Sequence, residues 1–277
     1  MIYKEYKPNR ILSKYIECYW FANSDKPPFR EKEYLIPDRT IELMFNFGDP
    51  YSQILNNKKI NIKGSHVIGI REKSLVISQT RKQDFFCIRF KLGGIYPFFK
   101  IPAHLFANGF YTLEELFGKE FNFIEERLYE ISNNNERIIF IENFLLGKLQ
   151  ANLSEYIFVE NCISILQDSN KINGLASRLG SNYKTLERKS KQVLGLTPEE
   201  LLKINRFNNA VLAMYSCKFD SLTKIAYACG YYDQSHFVRE FKHLTDMSPK
   251  EFFKEQFTIV QIIQPALAER MSKSYNF

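Results

Sequence analysis

The feature that most constrains this chain is an internal repeat in the C-terminal part of its sequence. One copy covers residues 175–202 and the other covers residues 225–253. Matching residues lie 50 positions apart at the start of the two copies and 51 positions apart after the first turn. The second copy therefore carries one more residue in the turn, where an insertion costs least. A repeat of this length predicts that one supersecondary unit occurs twice.

Each copy has the residues expected of two helices joined by a short turn. A small residue, Ala176 or Ala226, lets two helices approach closely. A glycine follows four residues later, Gly180 or Gly230, and supplies the left-handed backbone conformation that ends a helix. Such a turn between two helices is the helix-turn-helix signature. Polar residues that can cap the start of the second helix are Asn182 and Asp233.

A capping box begins a further helix after each unit. The two boxes are residues 197–200, Thr-Pro-Glu-Glu, and residues 248–251, Ser-Pro-Lys-Glu. Each places a hydroxyl at the N-cap, proline at the first helical position and glutamate at the third. The sequence therefore predicts a helix after each helix-turn-helix unit.

The second helix of each unit has an apolar face and a polar face. The side chains predicted to face the core are Tyr183, Leu186 and Val193 in the first copy and Phe237, Phe241 and Leu244 in the second. The outward face has the spacing i, i+4, i+7 and carries Lys184, Arg188 and Lys191 in the first copy and Ser235, Arg239 and Lys242 in the second. Basic and hydrogen-bonding side chains along one exposed helix face suit phosphate contact and base-edge reading.

The positive charge of the chain is concentrated in this region. The whole chain has a formal net charge of +7, and the segment from Lys171 to Lys254 has 14 Lys and Arg against 8 Asp and Glu, a net charge of +6. A basic chain favours polyanions such as nucleic acid. A solvated surface is the common role of one basic helix face, but two such faces in the same structural context favour DNA binding.

These residues strongly resemble the AraC/XylS family of bacterial transcription regulators. The resemblance covers about residues 156–257. It implies seven helices, with a long central helix over about residues 198–215 that joins two units. It also implies that the two recognition helices enter successive major-groove segments on one face of DNA, about 34 Å apart. The stretches that match most closely are Ile225-Ala226, Gly230-Tyr231, residues 233–242 and residues 248–252.

The same resemblance assigns contacts to individual residues. Those expected to meet bases or nearby phosphates are Lys184, Thr185 and Arg188 in one segment and Gln234, Ser235 and Arg239 in the other. Those assigned to positioning on the DNA backbone are Asn182, Lys191 and Lys242. Ser190 departs from the family, which usually has an aromatic residue there, whereas the second unit keeps Phe241. We therefore expect the first recognition helix to be packed less firmly than the second.

The N-terminal part is predicted to be rich in β-strand. Over residues 40–47 apolar side chains alternate, which predicts a half-buried strand. Residues 13–21 do not alternate and favour a helix. Further strands are predicted at residues 59–62, 66–71, 75–78 and 85–91, and helices at residues 121–131 and 136–150. A capping box at Thr112 begins the helical part.

The predicted fold class is α+β. A β-rich cupin-like domain covers residues 1–111, and the family resemblance implies that it binds an effector. A helical linker, which is also the candidate dimerisation region, covers residues 112–155. An all-α domain with two helix-turn-helix units joined by a long helix covers residues 156–257, and a tail covers residues 258–277. The N-terminal stretches that resemble a sensor domain are residues 15–21, 36–43 and 88–94.

Four N-terminal residues are candidates for an effector pocket: Trp20, Arg39, Glu42 and Arg89. Each has an ordinary structural alternative that is the more common outcome. Trp20 suits a core, Arg39 and Glu42 suit a turn and a strand surface, and Arg89 suits an ion pair.

The sequence carries no pattern typical of an enzyme. The four histidines are far apart, and no His-x-His pair, nucleophile elbow, Walker loop or dinucleotide glycine pattern is present. We expect no metal, no cofactor and no catalytic residue. The five cysteines are scattered and are expected to be reduced thiols. No leader or apolar run is apparent, so we expect a cytoplasmic protein that does not contact the membrane.

The predicted function is sequence-specific transcription regulation, with activation as the expected mode. The partners are double-stranded DNA and, as further candidates, RNA polymerase, a small-molecule effector and a second copy of the chain. The alternative is a protein-interaction module whose degenerate helix-turn-helix units no longer bind DNA. The arginines Arg188 and Arg239 argue against that alternative.

Overall fold

A computed structural model describes residues 2–25, 32–55, 58–79, 82–150, 153–169, 174–215 and 221–255. The strands are β1 Ile2–Tyr6, β2 Ile16–Ser24, β3 Lys32–Leu35, β4 Ile41–Asn46, β5 Tyr51–Leu55, β6 Lys58–Ile62, β7 His66–Ile68, β8 Leu75–Ser78, β9 Gln83–Phe90 and β10 Phe110–Thr112. The helices are α1 Tyr96–Phe99, α2 Leu113–Phe117, α3 Glu120–Glu130, α4 Asn134–Lys148, α5 Ser154–Ser169, α6 Leu175–Arg178, α7 Tyr183–Leu194, α8 Pro198–Tyr215, α9 Leu222–Ala228, α10 Gln234–Thr245 and α11 Pro249–Glu255. This order confirms the predicted α+β class.

The N-terminal strands form two antiparallel sheets. The larger has the order β1-β2-β9-β4-β7-β10 and the smaller has the order β3-β8-β5-β6. Strand β4 confirms the alternation of residues 40–47, but every one of its residues is buried, so the prediction that it is half-buried was wrong. Its two faces pack in different hydrophobic clusters. Leu43 and Phe45 pack in the main core, whereas Met44 packs in a cluster between the sheets.

The helix predicted over residues 13–21 was also wrong. A short 3-10 helix, Leu12–Lys14, is followed by strand β2. This strand pairs with β1 on one side and β9 on the other, and six of its nine residues are buried. A strand covered on both faces needs apolar residues at successive positions, so its sequence loses the period of two.

The other predicted elements of this half are confirmed, with shifts at their ends. The four further strands correspond to β6, β7, β8 and β9, and the two helices correspond to α3 and α4. The Thr112 hydroxyl accepts from the Glu115 N–H at 3.2 Å, and the Glu115 carboxylate accepts from the Thr112 N–H at 2.9 Å. This reciprocal pair is the predicted capping box.

The C-terminal repeat folds as two helix-turn-helix units, α6–α7 and α9–α10, joined by the long helix α8. Both glycines of the turns have positive φ, +59° at Gly180 and +80° at Gly230. The Asn182 side chain caps α7 by accepting from the Thr185 N–H at 2.9 Å, and Asp233 caps α10 through the His236 N–H at 2.6 Å. Both predicted capping boxes are present as well, before α8 and before α11. Lys171, Cys217 and the tail at 258–277 lie outside the described residues.

The two units are buried by different parts of the chain. The first unit shares one continuous core with the N-terminal domain, through Leu186, Val193 and Leu194. Gly195 ends α7 with a φ of +79°, and a Cβ there would lie 2.8 Å from Ile70 Cδ1 of the N-terminal domain. This junction therefore requires glycine for both its conformation and its close approach.

The second unit has a separate core made mainly of aromatic rings. Phe207, Phe237 and Phe241 are fully buried there. The N-terminal domain closes this core with Ile36, and Tyr34 lies against Phe252 with ring centroids 6.3 Å apart.

Candidate functional site

Helices α7 and α10 place the predicted DNA-contacting side chains on the surface. In α7, Lys184, Arg188 and Lys191 are exposed and Thr185 is half-buried. Neither Lys184 nor Arg188 makes a hydrogen bond or ion pair with the described residues, whereas Lys191 Nζ lies 4.0 Å from Glu200 Oε1. The Asn182 side-chain oxygen is used as the cap, which leaves its amide N–H groups for a phosphate.

The second helix presents the matching face. Ser235, Arg239 and Lys242 are exposed, and Arg239 makes no hydrogen bond or ion pair with the described residues. Gln234 is exposed, and its side-chain oxygen accepts from the Thr223 hydroxyl at 2.6 Å. This contact fixes the glutamine so that its amide N–H groups point away from α9 and remain free to donate.

An ion-pair network holds α10 against the long helix α8. Arg206 Nη2 donates to Glu240 Oε2 at 3.1 Å, and the His236 ring lies 3.8 Å from the same oxygen. The Arg206 guanidinium also lies over the Tyr231 ring, 5.5 Å from its centroid. Glu240 follows Arg239 directly, so this network anchors the turn of α10 that carries Arg239.

The apolar faces were predicted correctly except at one position. Leu186, Val193, Phe237, Phe241 and Leu244 are buried. The exception is Tyr183, which is 36% exposed and whose hydroxyl donates to Glu199 at 3.2 Å. As the first residue of α7, it lies at the edge of the core and reaches α8 with its polar tip.

The Ser190 side chain is fully buried. Among the residues that the structure describes, the only hydrogen-bond partner of its hydroxyl is the weak Cys162 thiol of α5. Burial raises the pKa of that thiol to about 11, so the pair is neutral. A small side chain at position 190 thus lets α5 approach α7. At this contact Lys189 Nζ of α7 lies 4.2 Å from the ring centroid of Phe158 on α5.

Two exposed tyrosines beside the second recognition helix were missed. Tyr232 is 85% exposed and comes directly before the cap of α10, and Tyr227 on α9 is 62% exposed. Phe123 and Tyr129 on α3 are exposed to a similar degree, so exposure alone assigns these two tyrosines no role. The signal in the sequence was the second tyrosine of the Tyr231-Tyr232 pair, since only one of the two can enter the core.

The structure brings three of the four candidate pocket residues together in a cavity between the two sheets. Trp20 Nε1 donates to Glu42 Oε1 at 3.2 Å, and Arg89 Nε donates to the same carboxylate oxygen. Arg39 is not among the residues that line this cavity. Its neighbour Asp38 lines the cavity instead, paired with Arg71 at 3.5 Å. These two were missed because the pair joins segments far apart in the sequence.

Two protein families match separate parts of the chain. A family described as a domain of unknown function (DUF6597) matches residues 4–111. A family described as a helix-turn-helix domain matches residues 175–255. The C-terminal domain is an AraC-type helix-turn-helix domain. The AraC-type domain thus contains both recognition helices and the long helix that joins them.

Curated relatives match less than half of the chain. The HTH-type transcriptional activator RhaS of Pectobacterium atrosepticum is 32% identical over 114 residues, which is 41% of this chain and 36% of that protein. RhaS of Citrobacter koseri is 28% identical over 130 residues, which is 47% of this chain and 40% of that protein. The chain thus spans about two fifths of the length of these relatives.

A solved structure of ToxT from Vibrio cholerae is 13% identical and covers 84% of this chain and 97% of its own. Its TM-score of 0.44 is too low to support a statement about fold or function.

Proposed function

We propose that this protein is a sequence-specific DNA-binding transcription regulator that reads two successive major-groove segments with helices α7 and α10. The observation that carries the proposal is the matching pair of exposed faces, Lys184-Arg188-Lys191 and Ser235-Arg239-Lys242, on two structurally equivalent helices. The free guanidinium groups of Arg188 and Arg239 can donate two parallel hydrogen bonds to guanine. The lysines can neutralise phosphates on either side.

The expected mode of binding is strongly electrostatic. Phosphate contacts release counterions from DNA, so the affinity falls steeply with salt when several phosphates are neutralised.

The test is to titrate the purified full chain against DNA from upstream of its own coding region at several salt concentrations. A double Arg188→Ala, Arg239→Ala variant is the matched control, since both side chains are exposed and their removal leaves both cores intact. No binding by the full chain to any promoter fragment at low salt would refute the proposal and leave the protein-interaction module as the alternative.

Ligand control of this activity is part of the proposal. The loop after β7 connects the N-terminal cavity to both helix-turn-helix units. Arg71 lines the cavity, Ile70 packs beside Gly195 at the end of α7, and the Ser74 N–H donates to the Leu244 carbonyl near the end of α10 at 2.7 Å. A ligand that moves this loop would change how the two recognition helices are held. Ile70→Ala should therefore change the affinity for DNA, and an unchanged affinity at every salt concentration would remove this route.

The remaining assignments are also proposals. We assign residues 1–111 to effector binding and residues 112–155 to dimerisation. The names of the relatives suggest activation as the mode, and RNA polymerase is a further proposed partner. A regulator of this kind works on the genome, so the proposed location is the cytoplasm. No helix in the described part of the chain is long and apolar enough to cross a membrane. We assign the protein no enzymatic activity.

A further inference from the structure

The cavity between the two sheets has the lining of a small-molecule site. Ligand pockets are mostly apolar, with a few placed polar groups. The aromatic rings in its wall are those of Tyr3, Trp20, Tyr51 and Phe85, and the aliphatic side chains include Leu35, Met44, Ile68 and Ile77.

The charges in the described part of this wall are already paired with one another. Arg89 is bound by Glu42, and Glu5 at the rim lies 3.5 Å from Arg89 Nη1. Arg71 is bound by Asp38, and its Nε also donates to the Ile36 carbonyl at 3.1 Å. Each of the two cations in the wall therefore already has a carboxylate partner.

The neighbouring histidine adds no charge to the site. The Tyr51 hydroxyl and His66 Nε2 lie 2.7 Å apart in a buried hydrogen bond. Burial lowers the pKa of His66 to about 4, so its ring is neutral near pH 7. A charged ligand would find no free counter-ion among these groups, and burying an unpaired charge is strongly unfavourable.

One end of the cavity offers neutral hydrogen-bonding groups. Gln79 and Gln83 both line the wall, and the Gln83 side-chain N–H donates to the Gln79 oxygen at 2.6 Å. This bond leaves the Gln79 amide N–H groups and the Gln83 oxygen for another partner. A hydroxyl or an amide on a ligand could satisfy both, since each can accept from Gln79 and donate to Gln83.

We infer that the cavity binds an uncharged, mostly apolar ring compound that carries one neutral hydrogen-bonding group, and that it discriminates against anions of the same shape. The inference names the ligand class for the ligand control that is part of the proposed function. Its test needs no DNA, so failure of ligand binding and failure of DNA binding are separate results.

Trp20 gives a readout specific to this site because it is the only tryptophan in the chain and lies in the cavity wall. The probes are neutral N-phenyl-1-naphthylamine and its anionic analogue 1-anilinonaphthalene-8-sulfonate, which share one ring frame. With the full chain, the neutral probe should quench Trp20 emission to saturation at one equivalent. The anionic probe should bind about tenfold or more weakly, since it must bury an unpaired charge. Equal or tighter binding of the anion would overturn the ligand class.

Two variants separate the cavity from other apolar surfaces. Ala22 lines the cavity, so Ala22→Phe should fill part of it and weaken the neutral probe by about tenfold or more, as a steric block does. The matched control is Ile60→Phe on the outer strand β6, where the side chain is exposed and outside the cavity. The control should leave probe binding unchanged. Unchanged binding in Ala22→Phe, or no quenching of Trp20 in the original chain, would overturn the site itself.

A third variant tests the charge argument directly. Glu42→Gln removes one of the two carboxylates that neighbour Arg89, so the cavity wall gains one unit of positive charge. The preference should then shift toward the anionic probe by about tenfold or more. An unchanged preference in a variant that retains the original Trp20 emission would contradict the inference. If this variant fails to fold, the comparison of the two probes on the original chain decides the ligand class alone.

Discussion

The two helix-turn-helix units have the same backbone plan and different interiors. In the second unit α10 lies on aromatic rings packed at steep angles, with Phe241 5.1 Å from Phe207 and 5.5 Å from Phe252 between ring centroids. In the first unit the position equivalent to Phe241 is Ser190, and the neighbouring helix α5 and the N-terminal domain complete the core. The caps, turn glycines and capping boxes are shared, so local signals define the unit and long-range packing determines what stabilises it.

This difference bears on the expectation that the first recognition helix is less firmly packed. Ser190 leaves no exposed gap, because it is fully buried and faces Cys162. The first unit depends on its attachment to the N-terminal domain, whereas the second carries most of its own core. The firmness of α7 itself stays a prediction, and the following variants test it.

The largest expected effect is on the second core. Phe241→Ala removes a fully buried ring that touches three others, and should lower the free energy of unfolding by about 3–5 kcal/mol. Chemical denaturation followed by circular dichroism measures this. A loss below about 1 kcal/mol, the range of a surface substitution, would mean that the second unit does not rest on its aromatic core.

The next effect is on DNA. Arg239→Ala should weaken binding by about 1–3 kcal/mol and relax the preference at one base position, because a bidentate base contact is lost. Fluorescence anisotropy on a set of single-base variants of the site measures both quantities. Lys242→Ala is the control, and should weaken all sequences alike while reducing the salt slope by about 1. If Arg239→Ala gives the same uniform loss, Arg239 contacts phosphate.

The caps should matter equally in the two units. Asp233→Ala and Asn182→Ala each remove one side-chain acceptor from the first turn of a recognition helix, and each should cost about 1 kcal/mol of stability. Thermal unfolding of the two variants side by side gives the comparison. A large loss of stability from one cap and none from the other would show that the two helix-turn-helix units are not equivalent.

The smallest effect should come from the position that distinguishes the units. Ser190→Ala removes a buried hydroxyl with only a weak thiol partner, so the stability should change by at most about 1 kcal/mol in either direction. Denaturation under the conditions used for Phe241→Ala gives the contrast. A loss as large as that of Phe241→Ala would reveal a structural role for the hydroxyl.

Much of the C-terminal domain could be predicted because its signals are local. Asn182, Asp233 and the turn glycines act within four residues of their own positions, and all behave as the sequence indicates. The strand β2 could not be predicted, because its burial depends on the partners β1 and β9. Its apolar run is equally compatible with a helix when read alone.

One candidate site follows from local sequence signals, whereas the other depends on long-range packing. The exposed faces of α7 and α10 follow from helical periodicity within one element. The cavity pair Asp38 and Arg71 depends on two segments that meet only in the folded domain. Choosing Arg39 in place of its neighbour shows the limit, since adjacent residues at a strand end can point to different sides.

The central claim is that both recognition helices read one face of the same DNA. Hydroxyl-radical footprinting of the full chain on its own upstream fragment tests this most directly. The account predicts two protected patches about one helical turn apart, roughly 10 base pairs, with Arg188→Ala weakening one and Arg239→Ala weakening the other. A single protected patch, or one that both variants weaken alike, would contradict it.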